Sequence, residues 1–416
     1  MTIIVLDGNE NQSVAAVRSL AAAGHEVIVG AETSWSKAGW SRACSSTFAY
    51  PSPEHDVAGF LDVVVSRVFS AGGPVVLPMT ERSLLPLSRD RARIQAAGGR
   101  LVLPDHQQVL QACSKPATSV LARQLGIRVP ETVTLGDDPV EARRVAAELA
   151  YPVVLKPAMS HEPGGQQVRS TGAPLYASTP SEFIESWHAL SRRCETMLVQ
   201  PFIPGSGTGY FALVRHGEVL ADFAHRRIRD IRPTGSGSAV RESIAMTELL
   251  REPSQRLLRA LAWHGVAMIE YRERPDGQLV FLEVNGRFWN SLPLAVASGV
   301  DFPRLLVELE ATGTVGPQPP YRVGLRCRWW LGDMRHLLQV WHGPPRGYPV
   351  PFPGRLATLL AFLTPRRGTV HDNFTLSDPA PELGDWLHFI GRKLPGALRR
   401  RPEVRVHDVE GRAAHS

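Results

Sequence analysis

Residues 265–290 read GVAMIEYRERPDGQLVFLEVNGRFWN, and this stretch decides the fold of the chain. Two apolar runs flank Asp276-Gly277, a residue pair typical of the tight turn between antiparallel strands, so the stretch predicts a β-hairpin. In such a hairpin Glu270 and Glu283 lie close together, and Asn285 follows Glu283 on the same face. Two carboxylates and an amide oxygen are the ligands that Mg²⁺ prefers, and Mn²⁺ accepts the same ligands. We therefore predict that Glu270, Glu283 and Asn285 form a divalent-metal site.

The alternative is an ordinary edge hairpin with a solvated acidic face. Arg287 favours the metal site, because it is the next residue on that face and a guanidinium group binds phosphate oxygens well. Two like charges side by side are costly unless a cation neutralises them, which again favours a bound metal.

The bulk properties are those of an ordinary globular protein. The chain has 416 residues, a net charge of +6 and four cysteines without a C-x-x-C pair, which leaves zinc and redox motifs unsupported. Its arginines are scattered except at residues 399–401, which we interpret as a solvated end, so no nucleic-acid partner is predicted. We find no signal peptide and no apolar run of about 20 residues, and we expect a cytoplasmic protein without a membrane span.

The order of apolar runs predicts an α/β fold followed by an α+β fold. Residues 1–112 open strand–helix–strand, as in a doubly wound parallel sheet, and a further strand is expected at residues 100–105. The first turn lacks the glycine pattern of dinucleotide-binding proteins, which makes an NAD-dependent enzyme a distant alternative. Residues 113–312 alternate hairpins with helices, and the first hairpin is predicted to turn at His216-Gly217. Residues 313–320 form a Pro/Gly linker. Residues 321–416 carry no assignable chemistry.

Two lysines and a glycine pair lie between these regions. Lys156 sits inside the apolar strand YPVVLKPA, where its charge must find an anion or reach solvent, and Lys115 begins a helix after Ser114. Gly164 and Gly165 follow in a loop that either closes over bound phosphates or is simply flexible.

This combination resembles the ATP-grasp superfamily over residues 1–310. SKPATSVLARQLGIRVPET and YPVVLKPA resemble its two lysine segments, LVQPFIPG its adenine hinge, and MIEYR with LEVNGRFWNSL its metal strands. The last motif, with the earlier LPMTE, is similar to the carboxylate–amine ligase branch, which includes carbamoyl-phosphate synthetase and D-aspartate ligase. The resemblance implies a Rossmann-like domain, then a two-lobed ATP-grasp fold, with residues 321–416 as a C-terminal extension.

The resemblance also implies roles for individual residues. ATP and Mg²⁺ would be the cofactors, with Lys115, Lys156 and Arg287 on the phosphates or an acyl phosphate, and relatives of this kind often form homodimers. The adenine pocket would include Gln200 and the main chain of Phe202 and Ile203. The usual ribose-binding acid is not evident, because Pro201 and Ser206 occupy the positions where relatives often carry acids.

The implied reaction joins a small-molecule carboxylate to an amine. The carboxylate attacks the γ-phosphorus of ATP and forms an acyl phosphate and ADP, and the amine then displaces phosphate. Two alternatives use the same residues: an ATP-grasp kinase that phosphorylates a stable acceptor, and a nucleotide-binding regulatory protein without turnover.

A second basic cluster follows the first predicted hairpin, in HRRIRDIRPTGSGSAVRES at residues 225–243. Arg226 and Arg241 are candidates to hold a carboxylate substrate or phosphate oxygens, and Arg241 is assigned a catalytic role with Lys156 and Arg287. A solvated turn is the alternative. Glu81, at the end of PVVLPMTE, either faces the active site or begins a helix.

Overall fold

The computed structural model describes residues 1–33 and 35–393 of the chain. The basic cluster at residues 399–401 lies outside these ranges. Among the described helices, none combines the length and apolar character needed to cross a bilayer.

A parallel sheet forms the N-terminal unit, with strand order β3-β2-β1-β4. Alternate residues of β1 enter two different cores, because Ile4 packs in one cluster and Ile3 and Val5 pack in the other. Helices therefore cover both faces, as a parallel sheet requires. The predicted strand at residues 100–105 is wrong, since this segment makes only the single bridge between Val75 and Arg100. The elements are β1 (Thr2–Val5), α1 (Asn11–Ala22), β2 (Glu26–Ala31), β3 (Ser46–Ala49), α2 (Val57–Ser70), β4 (Val75–Leu77), α3 (Glu81–Arg89), α4 (Arg91–Ala96) and α5 (His106–Cys113).

The small lobe follows and has its own core. Its antiparallel sheet has the order β5-β10-β6-β9, and Leu155, Phe183 and Trp187 pack together beneath it. A separate two-stranded hairpin, β7–β8, projects from this lobe. The elements are α6 (Lys115–Gln124), β5 (Val133–Leu135), α7 (Pro139–Glu148), β6 (Val153–Pro157), β7 (His161–Pro163), β8 (Val168–Ser170), β9 (Leu175–Ala177), α8 (Pro180–Ser191) and β10 (Met197–Pro201).

A seven-stranded sheet forms the large lobe, in the order β15-β14-β11-β12-β13-β16-β17. Both predicted hairpins are confirmed: β11–β12 turns at His216-Gly217 and β14–β15 turns at Asp276-Gly277. Gly217 and Gly277 have φ of 86° and 79°, a conformation that favours glycine. The elements are β11 (Ser206–Arg215), β12 (Glu218–Arg232), β13 (Ser236–Ser243), α9 (Glu248–Ala260), β14 (Gly265–Glu273), β15 (Leu279–Asn285), α10 (Leu292–Ser298) and α11 (Phe302–Thr312).

The C-terminal segment completes this sheet and ties it to the N-terminal unit. β16 pairs with β13, and β17 pairs with β16. Polar contacts then reach the N-terminal unit, where Lys37 lies 3.0 Å from Asp385 and Arg18 lies 2.9 Å from Asp378. The elements are β16 (Arg326–Arg328), α12 (Trp330–His342), α13 (Arg355–Leu363), β17 (Val370–His371) and α14 (Ala380–Lys393). The division of the chain after residues 112 and 312 stays a prediction.

Candidate active site

Glu270 and Glu283 lie directly opposite each other on β14 and β15. The predicted hairpin brings them together, and an irregularity between Glu270 and Tyr271 sets this register, because the pairing next to the turn would place Glu270 opposite Leu282. Asn285 lies two residues further along β15, and its side-chain amide donates a hydrogen bond to Glu283 Oε1 at 3.3 Å. Two carboxylates and one amide therefore share one face of the large sheet.

Two lysines approach this pair from the small lobe. Lys115 begins α6, where the Ser114 hydroxyl accepts a hydrogen bond from the Ala117 N–H and fixes the first turn. Its ammonium lies 3.4 Å from Glu283 Oε2. Lys156 lies on β6, and only 8% of each lysine is exposed. Two buried ammonium groups beside two partly buried carboxylates indicate a site built to hold charged groups.

The two carboxylates have different surroundings. Burial raises the pKa of Glu270, although the Arg227 guanidinium donates to its carboxylate at 2.7 Å. Burial also acts to raise the pKa of Glu283, but Lys115 and Lys156 outweigh burial and hold this pKa below its usual value. Burial lowers the pKa of Lys156 to about 8, and Glu283 opposes this shift. Arg227, Lys115 and Lys156 thus balance the negative charge of the two carboxylates. The same pair of carboxylates also suits a metal ion.

Arg287 lies beside the carboxylates and is held by two acceptors. Its guanidinium donates to Asn285 Oδ1 at 2.9 Å and lies 3.5 Å from Glu81. Glu81 begins α3 of the N-terminal unit and also lies 3.3 Å from the His161 ring. Burial acts to raise the pKa of Glu81, but His161 and Arg287 lower it to about 2, so this carboxylate stays ionised and fixes the arginine. Glu81 therefore begins a helix and also contacts a residue of the candidate site, which are the two alternatives that the sequence left open.

A cavity of about 490 Å³ joins the two lysines and the two carboxylates to the hinge between the lobes. Asn285 and Arg287 lie next to these carboxylates but do not line the cavity. This volume lies within the range of small-molecule sites. Gln200 is fixed by donating to the Thr132 hydroxyl at 2.9 Å, and the Phe202 N–H is already bonded to the Pro152 carbonyl. The sequence-predicted residues that line the cavity are Lys115, Lys156, Gln200, Phe202, Ile203, Glu270 and Glu283.

Comparison with protein families identifies this arrangement. Residues 193–331 match the family model described as "ATP-grasp in the biosynthetic pathway with Ter operon". A putative D-alanine–D-lactate ligase of Streptomyces coelicolor is 27% identical over 56% of this chain and 69% of its own length. The large chain of carbamoyl phosphate synthase of Rubrobacter xylanophilus is 26% identical over 59% of this chain and 23% of its own length. Over residues 193–331 the chain is therefore similar to ATP-grasp proteins.

Solved structures of two enzymes share the fold of this chain. The biotin carboxylase domain of Hydrogenobacter thermophilus 2-oxoglutarate carboxylase, crystallised with MgADP and bicarbonate, aligns with a TM-score of 0.60 at 15% identity, over 78% of this chain and 73% of that one. The L-amino acid ligase of Bacillus licheniformis aligns with a TM-score of 0.56 at 17% identity, over 75% and 74%. The resemblance to the superfamily and to carbamoyl-phosphate synthetase is confirmed.

The loop that carries Gly164 and Gly165 is the turn of the β7–β8 hairpin. The Gly164 N–H donates to the Gln167 carbonyl at 2.8 Å within this turn. The tip rests on the N-terminal unit, because the Val57 N–H donates to the Gln166 carbonyl at 3.1 Å. Gly164 and Gly165 do not line the cavity, whereas His161 and Ser170 at the base of the hairpin do. A role for the two glycines on phosphate stays a prediction.

The structure does not bring Arg241 to the cavity. Its side chain has no exposed surface, and its guanidinium donates to Asp372 of the C-terminal segment at 2.5 Å. Arg226 does not line the cavity either, because its guanidinium group pairs with Glu242. Arg227 is the residue of this cluster that reaches the carboxylates. Arg227 on β12 lies directly opposite Arg241 on β13. The sequence does not specify this register.

Among the other cavity residues, Arg272 and Tyr176 were missed from the sequence, and Arg232 lies in the predicted basic cluster without having been singled out. Arg272 follows Glu270 by two residues on β14, so strand alternation was the signal that could have found it. Tyr176 packs edge-on against the Phe202 ring at 6.0 Å between centroids, and no sequence motif marks it.

Replacing Arg241 with methionine should destabilise the protein by about 3–5 kcal/mol, because Asp372 would keep a buried charge without its arginine. Denaturant unfolding followed by fluorescence measures this change. Arg226→Met is the control: half of its side chain is exposed, so its ion pair should contribute less than about 1 kcal/mol. Equal stability of the two variants, with turnover lost only in Arg241→Met, would instead support the catalytic role predicted from the sequence.

Proposed function

We propose that the chain is an ATP-dependent ligase that joins a carboxylate to an amine through an acyl phosphate and releases ADP and phosphate. The observation that carries this proposal is the opposed pair Glu270–Glu283 within one cavity with Lys115 and Lys156. Such a set of charges suits the triphosphate of a nucleotide and its metal. The likeness to an L-amino acid ligase and to a putative D-alanine–D-lactate ligase supports ligation as the reaction class.

Glu270, Glu283 and Asn285 fit Mg²⁺ as a donor set. No cluster of three or more His, Cys, Asp or Glu side chains suited to a metal occurs in the described ranges, so two carboxylates and an amide are what this face supplies. Mg²⁺ usually takes only one or two carboxylates and completes its shell with phosphate and water, which this set allows. Mg²⁺ or Mn²⁺ held there neutralises phosphate charge as it develops during transfer.

The chain itself binds and orients the reactants. Lys115 and Lys156 hold phosphate oxygens, and Gln200 and Ile203 line the end of the cavity proposed for adenine. Arg287, fixed by Glu81, steadies the oxygens of the phosphoryl group as it passes to the substrate carboxylate. No side chain needs to act as a nucleophile, because the substrate carboxylate attacks.

The second substrate is an amine in this proposal, as in an amino acid ligase. A hydroxy acid is the alternative that one relative's name favours, since D-lactate offers a hydroxyl group. The same residues serve both reactions, because they act on ATP and on the carboxylate and not on the second nucleophile.

Product analysis tests the proposal. The purified protein is incubated with Mg-ATP and pools of amino acids, small amines and hydroxy acids, and ADP, AMP and phosphate are measured. ADP and free phosphate that appear only with particular acid–amine pairs are expected. ADP without free phosphate would identify a kinase, and AMP would exclude the acyl-phosphate route. Nucleotide binding without any turnover across the full panel would favour a regulatory protein.

Nucleotide affinity should fall as the pH rises through about 8. The reason is the pKa of Lys156, which burial lowers to about 8, so the ammonium that phosphate requires is lost above this pH. Calorimetric titration with ADP from pH 7 to 9.5 should give a slope near one decade per pH unit at the alkaline end, with proton uptake on binding. The Lys156→Met variant should lose this dependence. A flat profile in the wild-type protein would contradict the assignment.

A cytoplasmic location, where ATP is available, and a homodimeric state are parts of the same proposal. Gel filtration with light scattering tests the homodimer directly.

A further inference from the structure

A second group of charged residues lies on the opposite side of the large sheet from the metal carboxylates. Glu242 follows Arg241 on β13, and successive side chains of a strand point to opposite faces. Arg241 therefore belongs to the face of Glu270, while Glu242 belongs to the other face. Glu242 is buried, with 7% of its side chain exposed, and three arginines surround it.

The three arginines come from separate segments and share this single carboxylate. Arg226 lies directly opposite Glu242 on β12, and Arg326 lies directly opposite it on β16. Glu242 Oε2 accepts from Arg226 at 2.9 Å, and Oε1 accepts from Arg326 at 3.1 Å. Arg366, from the turn before β17, donates to the same Oε1 at 2.7 Å. The Glu242 carboxylate thus positions three guanidinium groups. Most of the N–H groups of these arginines stay available for another acceptor.

A cavity of about 210 Å³ opens beside Glu242. We call it the arginine pocket, and four arginines line it: Arg322, Arg326, Arg366 and Arg367. Arg322 and Arg367 are exposed, and within residues 1–33 and 35–393 their guanidinium groups have neither a hydrogen-bond nor an ion-pair partner. The rest of the lining is Val323, Gly324, Leu325 and Gly368, so aromatic side chains and further acids are missing from the described lining.

From this arrangement we propose that the arginine pocket binds a small polyanion that carries phosphate groups. Glu242 supplies one negative charge to Arg326 and Arg366, so a net positive charge remains on the concave surface formed by the four arginines. Their planar donors match phosphate oxygens. The pocket is too small for a nucleotide and offers no ring on which a base could stack. It shares no residue with the cavity that holds Glu270 and Glu283, so this is a site separate from the proposed active site.

The Arg322→Ala/Arg367→Ala double variant tests the proposal. Neither side chain has a partner among the described residues, so the thermal unfolding midpoint should stay at the wild-type value. The matched control is Arg123→Ala/Arg143→Ala, which removes two exposed arginines of α6 and α7. Pyrophosphate is titrated into each protein by calorimetry at low ionic strength. The active-site cavity is the same in all three proteins, so any difference between them comes from the substituted surface.

Wild type and control should bind pyrophosphate alike, and the double variant should bind at least about tenfold more weakly, as expected for losing charge-assisted hydrogen bonds. Added NaCl should weaken the same binding, because the pocket is open to solvent. Equal affinities in all three proteins, or an equal loss in the control, would overturn the proposal. Binding of a single-stranded oligonucleotide through these arginines, with no competition by pyrophosphate, would replace it with a nucleic-acid site. If the double variant is unstable, the single Arg367→Ala variant is measured in its place.

Discussion

Replacing Glu283 with glutamine should lower ATP turnover by at least about a thousandfold while the fold persists. Glutamine keeps the size of the side chain and its hydrogen-bonding atoms but removes the charge. Glu283 is the carboxylate that lies opposite Glu270 and nearest to the Lys115 ammonium, at 3.4 Å. Without its charge, the site keeps one carboxylate for the metal and loses the anion that balances both lysines.

The measurement is ADP release in a coupled assay across a range of Mg²⁺ concentrations, with thermal unfolding as the test of the fold. The matched control is Glu273→Gln, the same substitution on β14, the partner strand of the same hairpin. Glu273 accepts a hydrogen bond from the Thr208 hydroxyl at 2.9 Å and does not line the cavity, so this variant should retain its activity. Turnover by Glu283→Gln within a factor of two of the wild type would show that the metal assignment is wrong. Asn285→Ala should also abolish turnover if the amide oxygen binds the metal.

Replacing Lys156 with methionine should weaken nucleotide binding by about ten- to a hundredfold and lower turnover as well. The expected loss is that of a hydrogen bond to a charged group, about 1.5–3 kcal/mol. Methionine keeps much of the apolar stem of lysine and removes a buried ammonium, so the thermal unfolding midpoint should not fall. Loss of binding therefore cannot be attributed to unfolding.

Equilibrium binding of ADP and of ATP measures the effect of Lys156→Met. Arg192→Met is a suitable control, because Arg192 is an exposed cation at the end of α8 in the same lobe. Affinity in Lys156→Met equal to that of the control would exclude a phosphate-binding role for Lys156. Lower turnover with unchanged binding would assign Lys156 to the transfer step alone.

The metal hairpin was predictable from the sequence because its determinants are local. The Asp276-Gly277 turn predicts the pairing of β14 with β15, although an irregularity between Glu270 and Tyr271 is what places Glu270 opposite Glu283 and not opposite Leu282. The same holds for Lys156, whose position inside an apolar strand is visible in five consecutive residues. Side-chain alternation along a strand carries this information without any knowledge of the rest of the fold.

The role of the basic cluster could not be predicted in this way. Arg226, Arg227 and Arg241 are equally basic in the sequence, yet each meets a different carboxylate: Glu242, Glu270 and Asp372. Which one reaches the active site depends on the register of β12 against β13, where the structure has two irregularities. A shift of one residue moves a side chain to the other face of the sheet, so composition alone does not decide it.

The sequence predicted the two hairpins β11–β12 and β14–β15 and the charged cavity residues Lys115, Lys156, Glu270 and Glu283, but it wrongly predicted a strand at residues 100–105 and missed Arg272. Only the tertiary structure decided which distant groups join them. Glu81 reaches Arg287 from the N-terminal unit, and Asp372 removes Arg241 from the cavity by pairing with it across 131 residues. An ion pair forms between charged groups that the folded chain brings within a few ångströms of each other. For residues far apart in sequence, that distance is set by how the helices and sheets pack in the whole protein.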